Sequence, residues 1–435
     1  MEHIDTLITA RWIVPIEPEN QVLEDHAIAI RQGRIVALLP RAEASRRFVS
    51  AQTCSRPNHV VLPGFVNAHT QAAASLLRGA VQHAGADPRL KTPLAAIEPR
   101  WMDADYVRDG TALAIADMLT SGVTCFADAH LFPEAIAQTA SAARIRACVG
   151  LPICEAQSLW AGDIDECFEK GLRLHDDYRE DPLISTAFAP DAPCALSDAA
   201  LARLRRNADE LELPITLPLN ETPEGGSAGE RTLERLERLG LTSPLLAAVH
   251  MVHFEDSDAD RLARAGSNVV HCPRANLRLG AGVCRTGALA ARGVNIALGT
   301  GGASGHGIDM LEELRAAALI ARGVHTRDPD MTAHAWLKAA TLNGARALGL
   351  SEITGSLTPQ KWADLCCIDL HRPQTQPLYD VPGQIVFGAS RDQISDVWVA
   401  GRALVRAGQL THMDLEDVLR RAALWRERII GSFNA

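Results

Sequence analysis

The sequence predicts an α/β protein, a (β/α)8 TIM barrel with a small composite β-sandwich domain built from both chain termini. Three observations carry that prediction. From residue 60 to about 301, eight apolar strand-like runs alternate with amphipathic helical stretches, the count of a closed barrel. Strand character outside that region occurs at both ends of the chain, before residue 58 and again after residue 363. The length of 435 residues is too great for one small core and suits a barrel plus an accessory domain. An open doubly wound sheet is the alternative, but eight units in sequence favour closure.

Taken in order, Ile4 to Pro15 and Ala27 to Leu39 are rich in Ile and Val, with Gln32-Gly33 as a turn between short strands. The barrel runs are Val60–His69, Gly122–Ala129, Arg146–Cys154, Leu183–Pro190, Pro214–Asn220, Leu245–Met251, Asn268–Pro273 and Asn295–Gly301. Helical patterns between them include Asp105–Thr120, Pro133–Ala143, Ser197–Leu211, Glu230–Leu239 and Ser257–Ala265. Helices follow at Ile308–Arg322 and Thr332–Leu348, then strands at Ala363–Asp369 and Asp396–Val405. The last stretch, Asp414–Ile430, reads as a helix with Leu415, Val418, Leu419 and Ala422 on its apolar side. The expected division is 1–58 and 355–435 for the β-domain and C-terminal helix, with 59–354 as the barrel. Glu224 to Gly229 reads as a glycine-rich loop after the fifth barrel strand.

Composition narrows the function. The chain is 47% hydrophobic and 22% charged, which is ordinary for a globular enzyme. A net charge of -10 without a Lys/Arg cluster argues against nucleic acid or an anionic membrane as partner. No signal peptide is visible, and no apolar run approaches the roughly 20 residues of a membrane helix. Ten cysteines without C-x-x-C spacing read as reduced core thiols, and the expected location is the cytoplasm.

Catalytic groups in barrels project from the C-terminal ends of strands. Those ends carry His69 and Gln71, Asp128 and His130, Asp191, then Pro218, Asn220 and Glu221, then His250, then His271-Cys272, and finally Gly299-Thr300-Gly301-Gly302. A His-x-His pair at a strand end would put two imidazoles on one face, because strand side chains alternate. Here the second member is the amide Gln71.

These motifs resemble a known family. Pro63 to Thr70, Ser75-Leu76-Leu77-Arg78-Gly79, Gly122 to Phe126, Glu221-Thr222, His271-Cys272-Pro273 and Gly299-Thr300 are similar to the amidohydrolase superfamily, in that family's order. The branch they resemble contains the methylthioadenosine/S-adenosylhomocysteine deaminases and triazine chlorohydrolases. The resemblance implies metal-assisted hydrolysis. A zinc or iron ion is held by His-x-His on strand one, a His on strand five and an Asp on strand eight. A Glu after strand five and a His on strand six handle protons and substrate. It also implies a homodimer as the assembly to test.

Carried over by position, the first imidazole matches His69 and the second matches Gln71. The strand-five motif reads Pro218-Leu219-Asn220-Glu221-Thr222, so its ligand position is Pro218; the strand-eight position is Gly301. Glu221 and His250 match their expected types. Glutamine is a weak neutral ligand, and proline and glycine offer no side-chain donor. A metal lowers its water's pKa from about 15.7 to about 7, worth roughly 12 kcal/mol at about 1.36 kcal/mol per unit. A general base contributes only about 10²–10⁴-fold. Ordinary metal-dependent deamination or dechlorination is therefore expected to be absent, with no metal and no cofactor.

Three readings follow. In the first, the pocket binds a purine-nucleoside-like or other heteroaromatic small molecule through His69, Gln71, His130, Asn220, Glu221 and His250. In the second, a metal-independent hydrolase or lyase uses Glu221 and His250 as acid and base. In the third, a zinc or iron ion binds a relocated, non-standard site drawn from His69, His130, His250 and His271. Each retained residue also has a plainer role: His69 and His250 as hydrogen-bonded barrel histidines, Glu221 as a helix-start residue. Asp128 is expected to cap the helix after strand two, and His271-Cys272-Pro273 to be a structural turn. Trp101, Trp160 and Phe188 are candidate stacking partners that core packing explains as well. The segment Val81 to Pro99 is expected to face the substrate.

Overall fold

The computed structural model describes residues 1–79, 98–223, 230–302, 307–324 and 331–433. The glycine-rich segment Glu224 to Gly229 and nearly all of Val81 to Pro99 lie outside those residues.

Strands β1 (Glu2–Ile13), β2 (Leu23–Arg31), β3 (Arg34–Pro40) and β4 (Phe48–Pro63) come from the N-terminal end of the chain. The barrel strands are β5 (Phe65–Gln71), β6 (Val123–Asp128), β7 (Arg146–Ile153), β8 (Ile184–Pro190), β9 (Ile215–Leu219), β10 (Leu246–His250), β11 (Asn268–His271), β12 (Asn295–Leu298) and β13 (Gly301–Gly302). Strands β14 (Leu365–Asp369), β15 (Ile394–Val399), β16 (Arg402–Arg406) and β17 (Gln409–Leu410) complete the set. One sheet has the order β17-β16-β15-β14-β4-β1-β2-β3, so both ends of the chain build it together. The other runs in parallel from β12 through β5 to β13. Its two outer members are pieces of one continuous stretch: β12 pairs with β11, and after Gly299-Thr300 the chain pairs with β5 as β13. That stretch closes the barrel as its eighth strand.

Two sequence expectations change in detail. The run Val60–His69 is two strands, with Val60–Pro63 in the terminal sheet and Phe65 onward in the barrel. Gly64 makes the crossing. A Cβ there would lie 2.1 Å from Thr124 Cγ2, so the chain can change sheets at this point only without a side chain. The C-terminal helix spans Leu415–Phe433, but its buried stripe is Val418, Trp425 and Ile429, while Leu415 and Leu419 are exposed. Trp425 carries that choice. Its indole donates to Asp109 Oδ2 at 2.9 Å, its ring meets Tyr106 edge-on, and Arg421 joins the same carboxylate at 2.7 Å. The strong polar anchor on the helix Ala104–Thr120 outweighs the burial of two leucines.

The end of the barrel opposite the strand C-termini is tied to the terminal sheet by charge. Arg146, the first residue of β7, donates to Asp364 Oδ2 at 2.8 Å and to the Pro182 carbonyl at 2.6 Å. Asp364 also accepts from Thr354 Oγ1 and from the Ala400 amide, both at 2.7 Å. Among the described residues no helix is long and apolar enough to cross a membrane.

Candidate functional site

The sequence places Asn67, His69 and Gln71 on one face of β5. The eighth strand is pressed against them. Asn67 Nδ2 donates to Thr300 Oγ1 at 2.9 Å, and the Thr300 amide donates back to Asn67 Oδ1 at 3.0 Å. A Cβ at Gly299 would lie within 3 Å of the His69 backbone, which explains glycine there. His69 is thereby fixed at the barrel mouth, buried, with Nδ1 lacking a protein partner.

Strands β9 and β10 end in unusual backbone. Asn220, His250 and Met251 have φ of 50°, 75° and 45°. Left-handed conformations at non-glycine residues carry strain and gather at functional sites. They are held by cross-strand bonds: Met251 N to the Leu219 carbonyl, and Val252 N and His253 N to the Asn220 carbonyl. The result aims His250 into the mouth. Its ring stands edge-on to His69 at 5.9 Å between centroids, and its Nε2 is 3.8 Å from Glu221 Oε1. Its Nδ1 is 3.0 Å from Asn276 Nδ2, and so accepts that amide proton.

His271 ends the neighbouring strand β11. It is buried, and neither ring nitrogen has a protein partner. Burial, with a small contribution from His250, pushes both His69 and His271 down to about 3. Burial also lowers His250, against the opposing pull of Glu221. All three imidazoles are therefore neutral at pH 7, each able to donate one proton and accept one. The Asn220 side-chain amide is likewise buried without a protein partner, as is Asn276 Oδ1.

His130 belongs to a second cluster. Its Nε2 lies 3.1 Å from Glu98 Oε1, which also accepts from the Tyr106 hydroxyl at 3.3 Å. Burial opposes the imidazolium, but Glu98 outweighs it and the net shift is upward. Asp128 is pushed up to about 6 by burial, with His130 and the Ala72 amide pulling the other way. That amide, at 2.7 Å, corrects the expectation that Asp128 caps the helix after its own strand. The helix Pro133–Ala143 has Phe132 as its N-cap, and Asp128 instead caps the turn after β5.

The sequence reading identified His69, Asn220, Glu221 and His250, and the structure gathers His250 with His69 and Glu221. It missed Asn276, which lies on the short helix Pro273–Arg278. The signal was available: Pro273 at the first helical position sets that helix, and Asn276 follows one turn after Cys272. It also missed Glu98, whose approach to His130 spans 32 residues of sequence. The proposed stacking residues Trp160 and Phe188 are core members.

Pro218 pairs in register with Val249 inside the sheet and has no donor to give. Gly301 has φ +65°, and a Cβ there would lie 2.8 Å from Ala275 Cβ. Gln71 sits beside the same strand, its Oε1 3.2 Å from where a Cβ on Gly302 would stand. Among the described residues no group of three or more His, Cys, Asp or Glu is placed to hold a metal ion. Of the histidines offered for a relocated centre, His69 and His250 face each other, whereas His130 pairs with Glu98 in a separate group.

Residues 60–404 match the amidohydrolase family, and the chain belongs to that family. Within it, the chain is 40% identical to a 5-methylthioadenosine/S-adenosylhomocysteine deaminase of Teredinibacter turnerae, over 98% of both chains. A deaminase of the same description from Saccharophagus degradans is 35% identical over 98% of this chain and 97% of its own. An adenosine deaminase from Xanthomonas campestris, solved with bound zinc, superposes with a TM-score of 0.96 at 42% identity over 99% of both chains. The zinc complex of an atrazine chlorohydrolase from Arthrobacter aurescens shares the fold, with a TM-score of 0.89 at 22% identity.

Proposed function

We propose that this amidohydrolase-family protein binds a purine-nucleoside-like or other heteroaromatic small molecule at its barrel mouth and does not perform ordinary metal-dependent hydrolytic deamination. The donor chemistry at residues 71, 218 and 301 carries the reading. Glutamine, proline and glycine stand where the family resemblance places a histidine, a histidine and an aspartate, so His69 remains as the one strong donor. These residues do not fit a divalent ion, which needs three or four protein ligands. The backbone at Gly301 supports the same reading, since an aspartate there would combine a left-handed φ with a close approach to Ala275.

What remains suits binding. His69, Asn220, His250, His271 and Asn276 offer buried neutral donors and acceptors, and Glu221 offers one carboxylate. Donors and acceptors of these kinds match the ring nitrogens and exocyclic groups of a heteroaromatic ligand. Small molecules of that class are the substrates named for the relatives. The separation of 3.8 Å between Glu221 and His250 favours a second reading, an acid–base pair acting on an activated substrate without a metal.

A thermal-shift series with adenosine, 5'-methylthioadenosine, S-adenosylhomocysteine, pterins and triazines tests the proposal. A ligand at about 100 times its Kd stabilises the folded chain by about 2.7 kcal/mol and raises the melting temperature. Absence of a shift throughout that panel contradicts the binding reading. The same compounds incubated with protein and added zinc should release no ammonia. Zinc-dependent release contradicts the loss of hydrolysis. Zinc-independent turnover that vanishes in Glu221→Gln establishes the second reading in its place.

A further inference from the structure

A different part of the barrel holds a pair of thiols that the site does not use. Cys154 follows directly after β7, at the strand's C-terminal end. Cys167 lies near the start of the helix Ile164–Tyr178, whose N-cap Asp163 accepts from Glu166. Cys167 Sγ donates to the Cys154 carbonyl at 3.7 Å, which sets that sulfur against the residue carrying the other thiol. Cys154 is half-buried and Cys167 fully buried.

The segment between them is already folded onto the helix that follows. Ser158 Oγ accepts from the Trp160 and Ala161 amides, and Lys170 Nζ donates to the Trp160 carbonyl at 2.5 Å. The Trp160 indole donates to Glu134 at 3.1 Å. These bonds fix the segment on both sides, and Cys167 Sγ lies against residue 154. Cys366 and Cys367, by contrast, are neighbours in β14, where consecutive side chains point to opposite faces.

We propose that Cys154 and Cys167 form a disulfide on meeting a small-molecule disulfide such as oxidised glutathione, stapling the β7-to-helix segment that carries Trp160. The more accessible Cys154 reacts first. Its thiolate attacks one glutathione sulfur, the glutathione S–S bond breaks, and reduced glutathione leaves with a proton. The Cys167 thiolate then attacks Cys154 Sγ, expelling the second glutathione. The protein pair is oxidised by two electrons, and one glutathione disulfide becomes two thiols.

The test uses the full chain carrying Cys194→Ser, which removes the exposed thiol. Protein treated with oxidised glutathione is alkylated and mapped by mass spectrometry without reduction. The expected product is a Cys154–Cys167 linked peptide pair, two fewer alkylatable thiols per chain and no retained glutathione. Adding Cys167→Ser should trap glutathione on Cys154, and adding Cys154→Ser should leave Cys167 unmodified. Glutathione retained on Cys154 when both cysteines are present overturns the proposal, as does full alkylation of both. The first mapping decides the matter even if a serine variant fails to fold.

Discussion

The two ends of the barrel use buried polar groups in opposite ways. At the seam with the terminal sheet, Asp364 accepts from Arg146, Thr354 and the Ala400 amide, and Arg146 also reaches the Pro182 carbonyl. At the mouth, His69 Nδ1, Asn220 Nδ2, both nitrogens of His271 and Asn276 Oδ1 are buried without a protein partner. A buried polar group left unpaired costs about 1–3 kcal/mol. The seam thus contributes stability, while the mouth gives up stability that an occupant with matching donors and acceptors can return. The division follows the barrel rule that function sits at the strand C-termini and stability at the other end.

The largest effect is expected at the seam. Asp364→Ala leaves the Arg146 guanidinium buried and uncompensated, which should lower unfolding free energy by about 3–5 kcal/mol in a urea titration. A loss below about 1 kcal/mol would mean that the seam is not a stability element. At the mouth, Gly301→Ala adds a Cβ 2.8 Å from Ala275 Cβ at φ +65°. The expected cost is about 1–3 kcal/mol. Adding Ala275→Gly should recover the part due to the clash, so an unchanged double variant would assign the whole cost to backbone strain.

The smallest effect sharpens the comparison most. His271→Leu removes two unpartnered nitrogens and should leave stability at pH 7.5 within about 1 kcal/mol of the parent, or raise it. Burial holds this imidazole neutral down to about 3, against 6.5 for the ordinary group. The unfolded state therefore binds more protons across that window. The stability from His271 is fully present above about 6.5 and is lost as pH falls towards 3. Between pH 7.5 and pH 5 the variant should gain about 2 kcal/mol relative to the parent. Parallel pH profiles for the two proteins would show that His271 is charged or paired.

Much of this was legible in the sequence because it rests on local period. Eight apolar runs with polar ends gave the barrel strands, and the positions of Gln71, Pro218 and Gly301 could be read without coordinates. The division of Val60–His69 could not, because the run is apolar on both sides of Gly64 and only the contact with Thr124 separates the sheets. The contacts of His130 with Glu98 and of Asp128 with Ala72 were hidden for a related reason. Each joins segments far apart in sequence, and a polar residue at a strand end does not state its partner. The C-terminal helix shows the limit of apolar counting, since one tryptophan with a buried carboxylate partner set its orientation against two leucines.

Metal content tests the central claim most directly. Protein produced in zinc- and iron-supplemented medium and purified without chelator should carry less than about a tenth of an equivalent of any transition metal, because one strong ligand cannot retain it. One full equivalent that is lost in His69→Ala would contradict the account.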